Sequence, residues 1–275
     1  MKRTKVAIQG IKGSFHDQVT QEYYTAAPEL LECSTFDVLA KALAQGSCDQ
    51  GVMAIENSIA GSIIPNYALI DQYGLFIVGE HYLGIEHNLM VLPGQKIEDI
   101  NEVHSHPMAL LQCKLFFEAF PHIKLVESND TAEVAMEIQK NNTHGIGAIA
   151  SKSASEIYGL TILNASIQTI KNNVTRFVIV EKSDPKTSKA ISKGAWKFIL
   201  DHKRGSLATA LNVVSDCSLN LTKIQSLPVI ETPGKYAFFV DVTFDEIENY
   251  LKAKSLLEIM ATSFKVLGEY KNGKS

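Results

Sequence analysis

Short apolar runs alternate with helical patterns along the first half of the chain, and this alternation restricts the fold more than any other feature. Strand-like runs lie at 5–10, 30–34 and 50–57. Between the last two, Phe36, Leu39, Ala40 and Leu43 have the i, i+3, i+4, i+7 spacing of an amphipathic helix, and Gly46 follows as a stop signal. Strands that alternate with helices predict βαβ units.

The same alternation starts again after an extended stretch at 75–94. Strand-like and helical segments follow at 102–107, 109–120, 123–128, 130–141 and 145–151. We therefore predict two α/β lobes, formed by about residues 1–78 plus 160–182 and by residues 79–159. In open α/β sheets, ligands bind at the carboxyl ends of strands, so the expected site is a cleft between the lobes.

A polar segment at 183–194 separates these lobes from the rest of the chain. Its Lys, Ser and Pro content predicts a linker. Residues 195–275 then change to the order strand, helix, strand, strand, helix, strand, which is the ferredoxin-like βαββαβ arrangement. Because an isolated sheet of this kind exposes an edge and a face, we expect the chain to form a homo-oligomer.

Charge and composition exclude two classes of partner. The net charge is −4, and Lys and Arg do not cluster into the basic patch that a nucleic acid requires. No apolar run reaches the roughly 18–20 residues of a membrane-spanning helix, and residues 1–10 lack a signal-type apolar core. The four cysteines have no CxxC spacing, which predicts free thiols and a cytoplasmic protein.

Polar clusters fall where four of the predicted strands end, at 9–15, 55–63, 104–113 and 173–177. In the second cluster, backbone amides at a helix start and the hydroxyls of Ser58 and Ser62 suit a carboxylate or phosphate. The alternative is that Asn57 or Ser58 only caps that helix. The first cluster has two glycines that permit close backbone approach but lacks the GxGxxG spacing of a dinucleotide site.

The third cluster, at 104–113, contains His104 and His106 at a strand end. Two histidines without a third ligand at a usual spacing make a poor metal site, so we expect neither metal nor cofactor. Ser105 beside Pro107 places a hydroxyl near the free amide donors of a helix start. A Ser–His nucleophile is conceivable there, but no GxSxG motif supports it.

The fourth cluster, at 173–177, interrupts apolar runs with an amide, a hydroxyl and a guanidinium. Arg176 can hold a carboxylate bidentately, and Thr175 offers a hydroxyl one residue away. The alternative is an arginine paired with an internal Asp or Glu. Together the four clusters supply donors for anions, which favours a small di-acid or an amino acid as ligand.

The order of these segments resembles that of bacterial prephenate dehydratases over nearly the whole chain. The matching segments are VAIQGIKGSF, GVMAIENSIAGSI, SHPMALLQC, DTAEVA, AIASKSASEIYGL, IQTIKNNVTRF and, near the C-terminus, GSL and IQSLP. The resemblance implies a two-lobed catalytic region like a periplasmic binding protein at 1–182 and a ferredoxin-like ACT regulatory domain at 195–275. It also implies a lyase of phenylalanine biosynthesis that converts prephenate to phenylpyruvate, carbon dioxide and water without a cofactor.

The resemblance assigns roles to residues of the four clusters. Thr175 would hydrogen-bond the leaving oxygen and Arg176 would hold a carboxylate, while Glu56 and His106 are candidates for proton handling. The catalytic candidates are Thr175, Arg176, Glu56 and Ser105. The substrate-binding candidates are Ser14, Phe15, Asn57, Ser62, His106, Gln112, Asn173 and Phe177.

Two segments depart from the family pattern. Near the N-terminus, the family often has Pro where this chain has Ile11 or Lys12. It often has Ser or Thr where this chain has His16. In the C-terminal region, QSLP at 225–228 replaces the family's ESRP, so we expect phenylalanine inhibition to be weak, absent or transferred to another amino acid. The candidate effector residues are Gly205, Leu207, Asn220, Leu221, Gln225 and Ser226.

Two other functions remain open from the sequence. Arogenate carries an amino group in place of the keto oxygen of prephenate and would call for a hydrogen-bond acceptor. A non-catalytic sensor of amino acids or keto acids would need the cleft but not the hydroxyl of Thr175. The family resemblance further implies a homodimer or a homotetramer.

Overall fold

The computed structural model describes residues 3–183, 191–229, 232 and 234–274. The strands are β1 (Lys5–Gln9), β2 (Glu29–Cys33), β3 (Gln50–Asn57), β4 (Gly61–Ser62), β5 (Phe76–Gly84), β6 (Asn88–Val91), β7 (Glu102–Ser105), β8 (Lys124–Glu127), β9 (Ile146–Ala150), β10 (Thr161–Asn164), β11 (Val174–Glu181), β12 (Lys193–Ile199), β13 (Asn220–Pro228), β14 (Tyr236–Thr243) and β15 (Ser263–Tyr270). The α-helices are α1 (Phe15–Tyr23), α2 (Phe36–Ala44), α3 (Ile64–Gln72), α4 (Pro107–Phe117), α5 (Thr131–Asn141), α6 (Lys152–Tyr158), α7 (Ser206–Asp216) and α8 (Ile247–Met260). The fold is mixed α/β.

The chain divides into two compact units. The first comprises Met1–Gly61 and His81–Phe177, and the second comprises Ser62–Glu80 and Val178–Ser275. The predicted boundary at 183–194 differs from this division, and its residues 184–190 lie outside the described part of the chain. The functional division into a catalytic and a regulatory domain therefore stays a prediction.

Two groups of strands organise the first unit. β1 pairs in parallel with both β2 and β3. A five-stranded sheet has the order β10-β6-β9-β7-β8, in which β7 is parallel to β8 and β9. The βαβ pattern predicted from the sequence is thus confirmed. β10 pairs with β6 in this second sheet, so residues 161–164 lie on the other side of the lobe limit expected near residue 160.

Polar side chains at the ends of strands begin several of the helices. Thr35 accepts a bond from the backbone N–H of Val38 and starts α2. Asp130 accepts bonds from the N–H groups of Ala132 and Glu133 and starts α5. These caps satisfy donors that a helix start leaves unpaired. The strand ends are therefore fixed locally before any ligand binds.

The second unit contains the predicted strand and helix order. β13-β14-β12-β15 is the spatial order of its antiparallel strands, with α7 and α8 packed through a core that includes Trp196 and Tyr250. The predicted βαββαβ order is confirmed. From the sequence we expect the second helix of this region to cover 246–264. It ends at Met260, because Phe264 pairs with Phe198 of β12 in the sheet.

A buried ion pair lies in this unit. The Lys193 ammonium contacts both carboxylate oxygens of Glu80 at 3.0 and 2.9 Å, and the two side chains are 3% and 0% exposed. The backbone N–H of Gly273 donates to the same carboxylate at 2.9 Å. Two charges removed from water are tolerated here because each has partners.

The four cysteines are free and buried, as expected. Burial raises the pKa of the Cys33 thiol, and it raises the pKa of Cys48 to about 11 and that of Cys113 to about 12. Over the described residues, no set of His, Cys, Asp and Glu side chains is arranged to hold a metal ion. None of the described helices is long and apolar enough to cross a membrane.

Candidate active site

Thr175 lies at the start of β11 and is 7% exposed. Its Oγ1 accepts a hydrogen bond of 2.9 Å from Nδ2 of Asn57, the last residue of β3. Because this bond uses a lone pair of Thr175, the hydroxyl hydrogen remains available for donation. Two residues 118 positions apart in sequence thus meet at one point. The fourth cluster lies at the start of a strand and not at a strand end as predicted.

The orientation of the Asn57 side chain is fixed by its other bonds. Its Oδ1 accepts from the backbone N–H groups of Ile59 at 2.9 Å and Ala60 at 2.8 Å. Its Nδ2 also donates to Oδ1 of Asn173 at 2.7 Å. Both amide hydrogens and the amide oxygen are therefore engaged, so Asn57 has one orientation that satisfies the contacts.

A row of polar side chains continues from Asn57. Asn173 Nδ2 donates to Oε1 of Gln112 at 2.9 Å, and that oxygen also lies 3.0 Å from Nε2 of His87. The backbone anchors two of these residues, since Gln112 O accepts from Thr169 N and Asn173 O accepts from Ile85 N. We call this row, formed by Thr175, Asn57, Asn173, Gln112 and His87, the amide relay.

Ser58 has a structural role beside the relay. Its Oγ accepts from the backbone N–H of Val174 at 3.0 Å, and its own N–H donates to the Val174 carbonyl at 2.9 Å. The helix that follows, α3, has Ile63 at its start with no side-chain cap bond. The alternative that Asn57 or Ser58 caps this helix is therefore wrong.

Aromatic rings from α1 border the relay. Phe15 contacts the His87 ring edge-to-face with centroids 5.7 Å apart, and His16 contacts Phe177 edge-to-face at 5.0 Å. Ser14 is the buried N-cap of α1 and accepts from the backbone N–H of Asp17. The glycine-rich cluster at 9–15 is thus brought to the fourth cluster.

The glycines of this first cluster lie close to other parts of the protein, and their predicted approach to a ligand stays a prediction. Gly10 has a φ of +90°, and a Cβ there would lie 2.9 Å from Oδ2 of Asp130. A side chain is disfavoured on both counts. Ser151 Oγ donates to the carbonyl oxygen of Gly13 at 2.7 Å and Tyr158 to that of Lys12 at 2.6 Å, which holds the loop against α6.

Three other candidates lie in different surroundings. Ser105 is fully buried and its hydroxyl donates to the carbonyl of Ile149 at 2.7 Å. His106 is exposed and its Nδ1 accepts from the backbone N–H of Met108 at the start of α4. Glu56 is half-buried and interacts with other groups of the protein.

Arg176 and Ser62 complete the predicted set. Arg176 is 4% exposed and interacts with other groups of the protein. Ser62 belongs to the second unit, where its Oγ accepts from Nζ of Lys223 at 2.5 Å. The segment 167–170, expected to be half of a strand leading into β11, is irregular, because Ile167 N–H and Thr169 N–H bond to His87 O and Gln112 O instead of to a strand ladder.

The predicted effector residues all lie in the second unit. Gly205 precedes α7 with a φ of +84°, and Leu207 lies in the first turn of that helix. The remaining candidates are on β13: Asn220, Leu221, Gln225 and Ser226. Gln225 Nε2 donates to the carbonyl of Ser226 at 3.0 Å.

Sequence comparison decides the family. The family model described as prephenate dehydratase matches residues 6–185, which is more than half of the chain. The chain belongs to the prephenate dehydratase family.

Relatives agree with this assignment along most of the chain. It is 36% identical over 285 residues to arogenate dehydratase/prephenate dehydratase 2 of Arabidopsis thaliana, covering 98% of this chain and 73% of the plant protein. The prephenate dehydratase of Staphylococcus aureus has 26% identity and a TM-score of 0.83, with 97% and 100% of the two chains covered. The protein is therefore a lyase of aromatic amino-acid biosynthesis.

Another solved structure in the comparison has a different described activity. GqqA, described as a novel type of quorum quenching acylase, is 27% identical, with a TM-score of 0.87 and 97% coverage of each chain. An acylase of the Ser–His type needs an activated hydroxyl. In this dehydratase the Ser105 hydroxyl donates to Ile149 O, and the described contacts provide no Ser–His pair in the amide relay.

Sequence reasoning missed two buried polar residues of the candidate site. His87 lies between β5 and β6, where a single histidine before an apolar strand gives no periodic signal. Gln168 is 1% exposed and its Oε1 accepts from His87 N at 3.0 Å. The polar residue Gln168 inside the apolar run IQTI was the available clue, since a buried amide needs partners.

Two buried histidines, His87 in the amide relay and His16 beside it, are neutral at neutral pH. Burial lowers the pKa of His87 to about 4, assisted by the nearby His106, although the bond to Gln112 acts in the opposite direction. Burial lowers the pKa of His16 to about 3. A positive charge in either ring would lie in a buried setting that does not compensate it.

Acid is expected to destabilise the dehydratase through His16. The unfolded chain binds a proton near pH 6.5 and the folded chain only near pH 3, so the free energy of unfolding falls as pH drops between these values. The free energy of unfolding of His16→Leu, measured with urea, should change less steeply with pH in this range than that of the unsubstituted protein. The difference in slope corresponds to about one proton bound on unfolding. Parallel curves for the two proteins would contradict the assignment.

A cavity of about 580 Å³ lies elsewhere in the first unit. It is lined where β1 and β2 end and α5 begins, and its lining includes Glu32, Asp130 and Glu133. Three carboxyl groups do not suit a di-acid. The amide relay, which presents a hydroxyl and amides, fits such a ligand better.

Proposed function

We propose that Thr175 is the catalytic group of this dehydratase and that its hydroxyl donates a hydrogen bond to the leaving oxygen of prephenate. The observation that carries this proposal is the pairing of Thr175 Oγ1 with Asn57 Nδ2 at 2.9 Å. Since the amide donates, the threonine hydrogen is directed away from Asn57. A donor oriented in advance stabilises charge that develops in the transition state.

The reaction requires little more than this assistance. The bond between the ring and its carboxylate breaks, the electron pair enters the ring, and the bond to the hydroxyl oxygen at the opposite carbon breaks. Carbon dioxide leaves, and hydroxide takes up one proton to leave as water. Because the ring becomes aromatic, stabilising the departing oxygen is the main task of the protein. A threonine hydroxyl is a weak acid and serves as a hydrogen-bond donor or proton relay.

Charged and polar neighbours are proposed to bind the rest of the substrate. Arg176 holds a carboxylate, which its buried position would strengthen. Glu56 and His106 are proposed to handle the proton. Ser105 stays a catalytic candidate from the sequence, although its hydroxyl bonds to the carbonyl of Ile149. The proposed contacts to the two carboxylates and the ring come from Ser14, Phe15, Gln112, Asn173 and Phe177. Asn57, whose amide is fully engaged, contributes by holding Thr175. The contact predicted for Ser62, a residue of the second unit, stays a prediction.

One assay tests the activity and the choice of substrate. The protein is incubated with prephenate, and phenylpyruvate is detected by its ultraviolet absorbance in alkali. We expect turnover of prephenate with a higher kcat/KM than that of arogenate, the other substrate named for the Arabidopsis relative. Arogenate keeps its amino group and yields phenylalanine, which is measured by chromatography. Product from arogenate alone would assign the chain to that substrate, and product from neither would favour a non-catalytic sensor.

Residues 195–275, which belong to the second unit, are proposed to be an ACT regulatory domain with an atypical amino-acid site. Leu207 lines a cavity of about 230 Å³ together with Asp201, Lys203 and Lys235, whose mixed charges suit an amino-acid zwitterion. QSLP at 225–228 removes the charged pair of the family motif. Calorimetry with L-phenylalanine should show weak or no binding, whereas ordinary tight binding would contradict the proposal.

The assembly and location are also proposals. A homodimer or homotetramer in the cytoplasm is supported by the sheet of the second unit, whose β13 is an end strand, and by the four free cysteines. Light scattering at several protein concentrations measures the assembly.

A further inference from the structure

His87 lies at the far end of the amide relay from Thr175. Its side chain is buried, with 4% of the residue exposed, and its Nε2 is 3.0 Å from Oε1 of Gln112. Its backbone N–H bonds to the side chain of Gln168 at 3.0 Å, and Phe15 packs edge-to-face on its ring. The ring is therefore held on both sides.

The bonds of the relay determine which nitrogen of His87 carries the hydrogen. Backbone N–H groups of Ile59 and Ala60 fix the oxygen of Asn57, so its Nδ2 is the donor toward Asn173. The Asn173 oxygen is then an acceptor, and its Nδ2 is the donor toward Gln112. Each amide thus sets the orientation of the next.

The row of hydrogen bonds in the amide relay ends at the imidazole of His87. Gln112 Oε1 accepts a hydrogen bond from Asn173 Nδ2. Because this oxygen carries no hydrogen, it must also be the acceptor in its contact with His87 Nε2. The imidazole must therefore carry its hydrogen on Nε2, and Nδ1 holds a lone pair. Nδ1 is buried without a hydrogen-bond partner among the described residues. A second proton there would be unpaired, which agrees with a neutral ring.

We propose that His87 is a positioning residue of the dehydratase, which acts through Gln112, Asn173 and Asn57 to direct the Thr175 hydroxyl at the leaving oxygen. The inference rests on the proposed role of Thr175. Without the Nε2–H donor, the Gln112 amide can rotate by 180° and present NH₂ to Asn173. The NH₂ groups of Gln112 and Asn173 would then face each other, so Asn173 must move away. Asn57 keeps its orientation through Ile59 and Ala60, but its Nδ2 loses the Asn173 acceptor that helps to hold this amide against Thr175.

The tautomer of His87 tests the geometry without any substrate. Long-range ¹⁵N–¹H spectra of the full chain near neutral pH, with His87 assigned from the spectrum of His87→Gln, should show a neutral ring with hydrogen on Nε2. A neutral ring with hydrogen on Nδ1, or a charged ring, would overturn the proposal.

Kinetic measurements test whether His87 affects catalysis through the amide relay. His87→Phe keeps a ring against Phe15 but removes the donor, and we expect kcat to fall about tenfold with little change in KM, as for loss of one neutral hydrogen bond. His87→Gln should recover most of kcat, because its amide N–H can replace Nε2–H. His104→Phe is the matched control, since His104 bonds to Glu102 outside the relay and its loss should leave kcat unchanged.

A double-mutant cycle distinguishes positioning from a general structural role. In the Thr175→Ala background, His87→Phe should lower kcat no further, because the relay no longer ends on a hydroxyl. The same tenfold fall in both backgrounds would overturn the proposal while leaving the dehydratase function intact. Absence of turnover by the unsubstituted protein would instead refute the proposed function and, with it, this role of His87. Thermal unfolding confirms that each variant is folded.

Discussion

Replacing Thr175 with alanine is expected to lower kcat with prephenate by about 10²–10³-fold, the effect of removing one preorganised donor from a transition state. KM should change by less than about threefold, because the hydroxyl contact strengthens only as the carbon–oxygen bond breaks. The measurement is the initial rate of phenylpyruvate formation at several prephenate concentrations. A near-normal kcat would remove Thr175 from the mechanism.

Thr175→Ser is the matched variant for this experiment. It keeps the oxygen that accepts from Asn57 Nδ2 and the hydrogen that donates to substrate, so it should retain most of kcat. Thr175→Ala removes one acceptor of the half-buried Asn57 amide, which costs at most about 1–3 kcal/mol of stability. Urea unfolding separates this cost from the loss of catalysis, because the alanine protein must still be folded under assay conditions.

Replacing Lys193 with methionine is expected to lower the free energy of unfolding by about 3–5 kcal/mol, since it leaves the carboxylate of Glu80 buried without its cation. Both side chains are almost fully removed from water, with Nζ at 2.9 and 3.0 Å from the two oxygens. Urea unfolding near neutral pH measures the loss. A decrease below about 1 kcal/mol, typical of exposed pairs, would contradict this account.

Two further variants separate a buried charge from simple loss of packing. Lys193→Met combined with Glu80→Leu removes both charges and should recover a large part of the stability, because an apolar pair needs no compensation. Lys203→Met breaks the exposed pair with Asp201 and should leave the urea midpoint nearly unchanged. If the double variant is no more stable than Lys193→Met, the packing of the lysine chain is the cause.

Local sequence patterns predicted the strands and the parts of the site that lie at their ends. β3 has the predicted bounds because a continuous apolar run at 51–55 is flanked by the polar residues Gln50, Glu56 and Asn57. Asn57 and Thr175 were candidates for the same reason, since each stands at the polar limit of a buried strand. Their contact required only that the strand ends meet.

Residues whose partners are distant in sequence could not be predicted in this way. His87 gains its role from Gln112, 25 positions later, and its surroundings from Phe15 and Gln168. α8 ends earlier than its helical pattern because β12 recruits Phe264 into the sheet. In both cases contacts between residues distant in sequence determine the structure. Such contacts produce no periodic pattern in the sequence.

The burial of the four thiols gives the protein a set of internal reporters of motion. Cys33 ends β2, Cys113 packs in the core of the second sheet of the first unit, and Cys217 packs in the core of the second unit. A thiol reagent attacks only the thiolate, so each cysteine reacts when its own neighbourhood opens to water. Labelling rates at individual cysteines therefore read the opening of separate regions of one unmodified chain, without any introduced probe.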